Sequence, residues 1–262
     1  MPPSAVASRL RPFGTTIFAE MSALAVELGA INLGQGFPDS DGPREVLDIA
    51  IDSINSGLNQ YPPGNGMQVL RDAIVQHQIR FYGVSYNCDT EVLVTAGATE
   101  AIAGALLGLL EPGDEVVLFE PMYDSYQACI ALAGAVSVPV LLQPPSYRPN
   151  MEALESAITE RTKILLINSP HNPTGMLLTR EEQLQIVRIA QQHNLIIISD
   201  EVYEHLVFDG QRHASIAEIP EARERSIVIS SGGKTFHTTG WKVGWAVGPA
   251  HLIAGVRSAK QF

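Results

Sequence analysis

Short runs of nearly unbroken apolar residues alternate along the chain with longer stretches whose apolar positions recur every three to four residues. The short runs lie at 115–119, 136–140, 163–167, 195–199 and 226–230. A strand covered on both faces must be apolar on both, so continuity rather than alternation points to a parallel sheet buried on each side. Helical spacing occupies 98–110, 125–133, 151–158 and 180–193. Strand and helix in turn predict an α/β fold, a three-layer sandwich with a mostly parallel sheet. Ligands of such sheets sit beyond the carboxyl ends of the strands.

The two ends depart from this rhythm. Residues 1–42 form an N-terminal arm and loop. Within it, 16–28 carries Phe18, Met21, Leu24 and Leu28 at helical spacing, and Gly29 is placed to cap the helix. NLGQGFPD at 32–39 is a glycine- and proline-rich loop. Residues 43–249 then make one large domain. At 250–262, Leu252, Ile253, Val256 and Ala259 share a helical face with no glycine, asparagine or proline stop signal after them. We therefore expect a helix that leads into a further, C-terminal domain.

Composition narrows the function. A net charge of -11 lacks the basic footprint of a nucleic-acid binder. Cys88 and Cys129 are the two cysteines; far apart and outside any CxxC pair, they predict neither a disulfide scaffold nor a zinc knuckle, and no metal site is expected. Reduced thiols suit a cytoplasmic protein. The first eleven residues lack an apolar signal region. The longest apolar run, 101–110, is about half of the roughly 20 residues a membrane span needs.

Of four lysines, Lys163, Lys234, Lys242 and Lys260, the second stands in the most suggestive surroundings. It lies in SSGGKTFHTTGWKVGW at 230–245, where a strand ends and a loop of small residues carries the lysine out. Phe236, Trp241 and Trp245 are placed to pack around it; apolar walls lower an amine's pKa and leave it nucleophilic. A phosphate-binding P-loop would need glycine at 228, which is Val228, and a helix directly after the lysine, which TTGW at 238–241 starts poorly. GQG at 34–36 and GNG at 64–66 have Asp39 and Val69 where a dinucleotide fingerprint needs its third glycine. A lysine on a solvated loop is the remaining alternative for GGK taken alone.

With these residues in view, the sequence resembles the class I and II aminotransferases of fold type I. Five segments carry the likeness: TAGATE at 95–100, EPMYDSY at 120–126, NSPHNPTG at 168–175, SDEVY at 199–203, and SGGKTF at 231–236 with TGWK at 239–242. They occur in the family's order and the likeness covers nearly the whole chain. It implies pyridoxal 5′-phosphate as cofactor. Lys234 resembles the lysine that holds the cofactor and moves the proton of the substrate α-carbon. Asp200 resembles the partner of the pyridine nitrogen; standing alone it also reads as a helix N-cap. Tyr203 and Asn172 resemble the residues that contact the phenolic oxygen, although NPTG by itself is a plain turn. Tyr123 resembles the aromatic that stacks on the ring, with core packing as its other reading.

For the phosphate, Gly97, Ala98 and Thr99 end a strand and open a helix, whose free N–H groups and dipole suit an anion. Ser231 and Lys242 resemble the remaining phosphate contacts, with lysine where much of the family has arginine. Tyr61, in QYPPG at 60–64, resembles a tyrosine that reaches the phosphate from a neighbouring subunit, which implies a homodimer; otherwise it is an exposed turn residue. Gly36 resembles the substrate-side loop, where the missing side chain leaves room for a carboxylate, and Asn172 lies on that side too.

The implied reaction moves an amino group from an L-amino acid to a 2-oxo acid, with 2-oxoglutarate as acceptor. RPFGTTIFAEM at 11–21, the loop 32–39, QYPPG at 60–64 and AHLIAGVR at 250–257 resemble the branch holding N-succinyldiaminopimelate aminotransferases of lysine biosynthesis. That branch also holds methionine-, glutamine- and kynurenine-type aminotransferases and cysteine-conjugate β-lyases. The family's small domain carries an arginine that clamps the substrate carboxylate. No residue here takes that role; Arg257 reads as solvated or structural. These 262 residues alone are accordingly expected to turn over poorly, and a non-catalytic cofactor-binding fragment is the alternative of another class.

Overall fold

A computed structural model describes residues 5–34, 36, 38 and 40–261. Gln35, Phe37 and Asp39 of the 32–39 loop, and Phe262, lie outside the described residues. In the N-terminal arm, α1 (Ile17–Leu28) is capped by Thr16, whose hydroxyl accepts the Ala19 N–H, and closed by left-handed Gly29 at φ 61°. Next come α2 (Arg44–Asn55), α3 (Gln68–Tyr82), β1 (Val92–Ala96), α4 (Gly97–Leu109), β2 (Glu115–Glu120) and α5 (Ser125–Leu132). They are followed by β3 (Val136–Leu141), α6 (Met151–Ser156), β4 (Thr162–Asn168), α7 (Arg180–Gln192) and β5 (Ile196–Asp200). The chain closes with β6 (Ser226–Ser231), the single turn α8 (Gly232–Thr235), β7 (Val243–Val247) and α9 (Ala250–Gln261).

Among the described residues seven strands form one sheet, in the order β1-β7-β6-β5-β4-β2-β3. The five expected runs are β2 to β6, which pair in parallel, and β1, joined to them through β7, runs in the same direction. Their apolar continuity follows from the two cores. Val117, Phe119, Leu165 and Ile167 pack with Leu154 of α6 and Ile186 of α7. Val116, Leu118, Ile164 and Leu166 pack with Ile102 of α4, Ile130 of α5 and Ile253 of α9. Each fully buried Leu or Ile contributes about 1.5–3 kcal/mol, so the sheet is a stiff base for whatever its edge carries.

β7 departs from the expected pattern. It runs antiparallel between β1 and β6. Reversal puts its start, not its end, at the carboxyl edge of the sheet: Val243 faces Ala96 of β1, and Gly244 faces Ser231 of β6. Lys242, one residue earlier, is thereby held between the ends of two other strands. No described helix is long and apolar enough to cross a membrane, and both cysteines are free thiols.

Candidate active site

A cavity of about 750 Å³ lies along the carboxyl edge of the sheet. Strand ends and the turns after them supply its walls: Gly97, Ala98, Thr99, Asn168, Asn172, Asp200, Tyr203, Ser231, Lys234 and Lys242. Tyr123 and Tyr126 come from the start of α5, and Phe18, Leu33, Gly34 and Gly36 from the N-terminal arm.

Asp200 is the last residue of β5 and only 3% exposed. Its Oδ2 accepts the Tyr126 hydroxyl at 2.6 Å and its Oδ1 accepts the Val202 N–H at 3.2 Å. Both donors are neutral. Burial holds the carboxyl at about 6, above the ordinary aspartate value, against the lowering effect of those hydrogen bonds and of Lys234. No described helix starts here, so Asp200 is not a helix cap. Asn168, paired beside it at the end of β4, donates Nδ2 to the Asp200 carbonyl at 2.8 Å. The Asn168 Oδ1 accepts the backbone N–H of Asn172 at 2.6 Å, which ties the 168–175 turn to the sheet.

Lys234 sits on the single turn α8 rather than on an extended loop; the Phe236 N–H closes that turn on the Gly232 carbonyl at 2.9 Å. Its Nζ lies 5.5 Å from the centre of the Tyr203 ring. Burial, and then Lys242, lower its pKa, while Asp200 opposes them. The aromatic wall expected from the sequence is corrected by the structure. Phe236 and Trp241 are each 46% exposed, Trp245 is buried in the core beside Val228, and none of the three lines the cavity. The buried glycines 232 and 233 wind the chain so that residues 236 and 241 face outward, and the alternation of β7 sends Trp245 into the core. Tyr203, Tyr123 and Tyr126 make the wall instead. Asn172 Nδ2 approaches the Tyr203 hydroxyl at 3.5 Å. Tyr123 stands edge-on to Tyr126, ring centres 5.7 Å apart.

The opposite end of the cavity is built for an anion. No side chain caps α4, whose first residue, Gly97, has φ 78°. Its first residues, Gly97, Ala98 and Thr99, line the cavity, and the Glu100 carboxylate accepts the Ala96 N–H at 2.6 Å. The aliphatic stem of Lys242 packs against Gly97, 3.5 Å from where a Cβ would stand. A Cβ on Gly244 would fall 2.4 Å from the Gly97 carbonyl carbon, so only glycine lets β7 come this close to the helix start. Ser231 completes this end.

Most sequence-assigned residues thus meet in one place. Tyr61 does not: it is fully exposed and away from the cavity within one chain. Lys163 lies outside the cavity, Lys260 donates to the Gly64 carbonyl, and Arg257 donates to the Asp89 carbonyl. Tyr126, Asn168 and Phe18 carry no role in the sequence reading. The one available signal was for Tyr126, three residues after Tyr123 at a helix start and so within reach of the same site.

The sequence profile described as Aminotransferase class I and II matches residues 29–262. A curated relative from Mycobacterium tuberculosis, described as a probable N-succinyldiaminopimelate aminotransferase, is 58% identical over 257 residues, covering 97% of this chain and 65% of the relative. The solved structure of N-succinyldiaminopimelate aminotransferase from Mycobacterium tuberculosis gives a TM-score of 0.96 over 98% of this chain and 67% of that one. A solved Escherichia coli protein with a methionine aminotransferase function is 44% identical with a TM-score of 0.93, covering 99% of this chain and 68% of that one. The chain therefore spans about two thirds of the length of the proteins it matches.

Proposed function

The chain belongs to the class I and II aminotransferases, and on that premise we propose that Lys234 and Asp200 hold and activate a pyridoxal 5′-phosphate in a transaminase. The family depends on this cofactor. The observation that carries the reading is that both side chains line one cavity, with Asp200 buried among neutral partners. A buried carboxyl of that kind fits a ligand that brings its own protonated nitrogen. The anion-binding end fits a phosphate.

When bound, the cofactor supplies an aldehyde that takes up amino groups and a ring that draws electrons from the substrate α-carbon. Asp200 would pair with the ring nitrogen and keep it protonated. Lys234 would hold the cofactor and would take and return the substrate α-proton; burial and Lys242 lower its pKa in the direction such a base needs. Tyr203 and Asn172 hold the phenolic oxygen, and Tyr123 covers the ring. Ser231, Lys242 and the N–H groups of Gly97, Ala98 and Thr99 hold the phosphate. Gly36 and Asn172 face the substrate.

The proposed reaction passes an amino group between an L-amino acid and a 2-oxo acid, 2-oxoglutarate among the acceptors. N-succinyldiaminopimelate is the proposed partner substrate, supported by the 58% identity to the mycobacterial relative. The second reading, methionine, is favoured by a 45% identical relative from Escherichia coli. The arm 1–42, the large domain 43–249 and the helix from 250 onward are the proposed divisions, in a cytoplasmic homodimer. Support for the dimer lies in apolar side chains left exposed on and near the arm, with Leu28 68%, Ile31 86% and Leu33 90% exposed, and in Tyr61, which is free to reach a partner's phosphate site. With pyridoxal phosphate present, kcat/KM on N-succinyldiaminopimelate should exceed that on methionine and kynurenine by at least about tenfold. A preference for methionine or kynurenine would replace the substrate assignment, and failure to bind pyridoxal phosphate would remove the assignment of this cavity as the cofactor site.

A further inference from the structure

Outside the cavity, two imidazoles and a carboxylate converge. His77 comes from α3, and Glu204 and His205 from the segment just after Tyr203. Their nearest ligand atoms all lie within 4.8 Å of one another. His77 Nε2 is 2.7 Å from His205 Nε2 and 3.8 Å from Glu204 Oε2. Tetrahedral zinc with bonds of about 2.05 Å needs donors about 3.3 Å apart. These two separations bracket that value, and the third, within 4.8 Å, needs at most about 1.5 Å of side-chain movement to meet it. We infer that His77, Glu204 and His205 form a binding site for a divalent transition metal of the zinc class, bracing α3 against the segment that carries Tyr203.

The groups around Glu204 and His77 suit a ligand set. Glu204 is oriented by the hydroxyls of Tyr82 and Ser230, one on each carboxylate oxygen. A ligating histidine needs a partner for its second nitrogen, so that the tautomer is fixed. His77 Nδ1 lies 3.4 Å from the amide of Gln78, which is fully buried with its Oε1 unpartnered. Turning that amide over lets Nδ1–H donate to Oε1 and leaves Nε2 with a free lone pair toward His205 and Glu204. Without a metal, the two Nε2 atoms must share one proton across their 2.7 Å contact. A metal takes the place of that proton. Two nitrogens and one oxygen are a borderline donor set that suits zinc, and the partial exposure of both histidines leaves a position for water.

The test uses untagged protein loaded with pyridoxal phosphate, stripped with EDTA and titrated with Zn²⁺ and Co²⁺ by calorimetry and visible absorption. The expected result is about one equivalent bound, with an intense tetrahedral Co²⁺ band, and affinity at least tenfold weaker in each of His77→Gln and His205→Gln. Circular dichroism checks that both variants fold. Anomalous scattering from a Zn²⁺-soaked wild-type crystal decides without them: a peak between the three side chains supports the site. No binding, binding that survives either substitution, or a peak elsewhere overturns it.

Discussion

Asp200 shows what one residue can cost before its ligand arrives. Its folded value near 6 lies above the ordinary 3.8, so the folded chain holds this proton more tightly than the unfolded one. The stability it contributes is complete below about pH 4 and is lost as pH rises through about 6. Cofactor-free Asp200→Asn should therefore match the wild type near pH 4 and gain on the order of 1–3 kcal/mol over it at pH 8. Urea unfolding at both pH values checks this; an equal difference at the two would contradict it. Lys234 and Asp200 were legible because each sits in a local motif. Tyr126 was not, because its bond to Asp200 joins residues 74 apart. Trp245 was misplaced because a lone aromatic near a lysine gives no information on which face of a strand it occupies.

At the scale of elements, the five parallel strands could be read from sequence because burial on both faces leaves an unbroken apolar run. β7, with the sequence VGWAV, is short and carries two small residues, and its partners lie in distant segments. Yet β7 is what brings Lys242 to the start of α4. Gly244→Ala tests that approach. Its Cβ would meet the Gly97 carbonyl carbon at 2.4 Å and the Ala98 nitrogen at 2.6 Å, backbone atoms that cannot swing aside. Overpacking of this kind costs about 1–3 kcal/mol, and pyridoxal phosphate binding should weaken by at least about tenfold as the phosphate end opens. Gly14→Ala, whose Cβ meets nothing within 4 Å, is the control and should change neither. Unaltered cofactor affinity in the Gly244 variant would show that the close approach does not shape the phosphate site.

For the whole molecule, a single chain leaves Tyr61 fully exposed and outside the cavity its motif points to. A motif can assign such a residue to a site, but one chain's pattern carries no record of which subunit completes it. Sedimentation equilibrium at micromolar concentration should give a dimer; a monomer would detach Tyr61 from the phosphate. Cofactor attachment depends on the primary amine at position 234, and covalent capture reads it directly. Protein incubated with pyridoxal 5′-phosphate, reduced with borohydride and digested should yield one modified peptide, with the label on Lys234, and Lys234→Ala should yield none. A label on Lys163, Lys242 or Lys260 in place of Lys234, or no label at all, would contradict it.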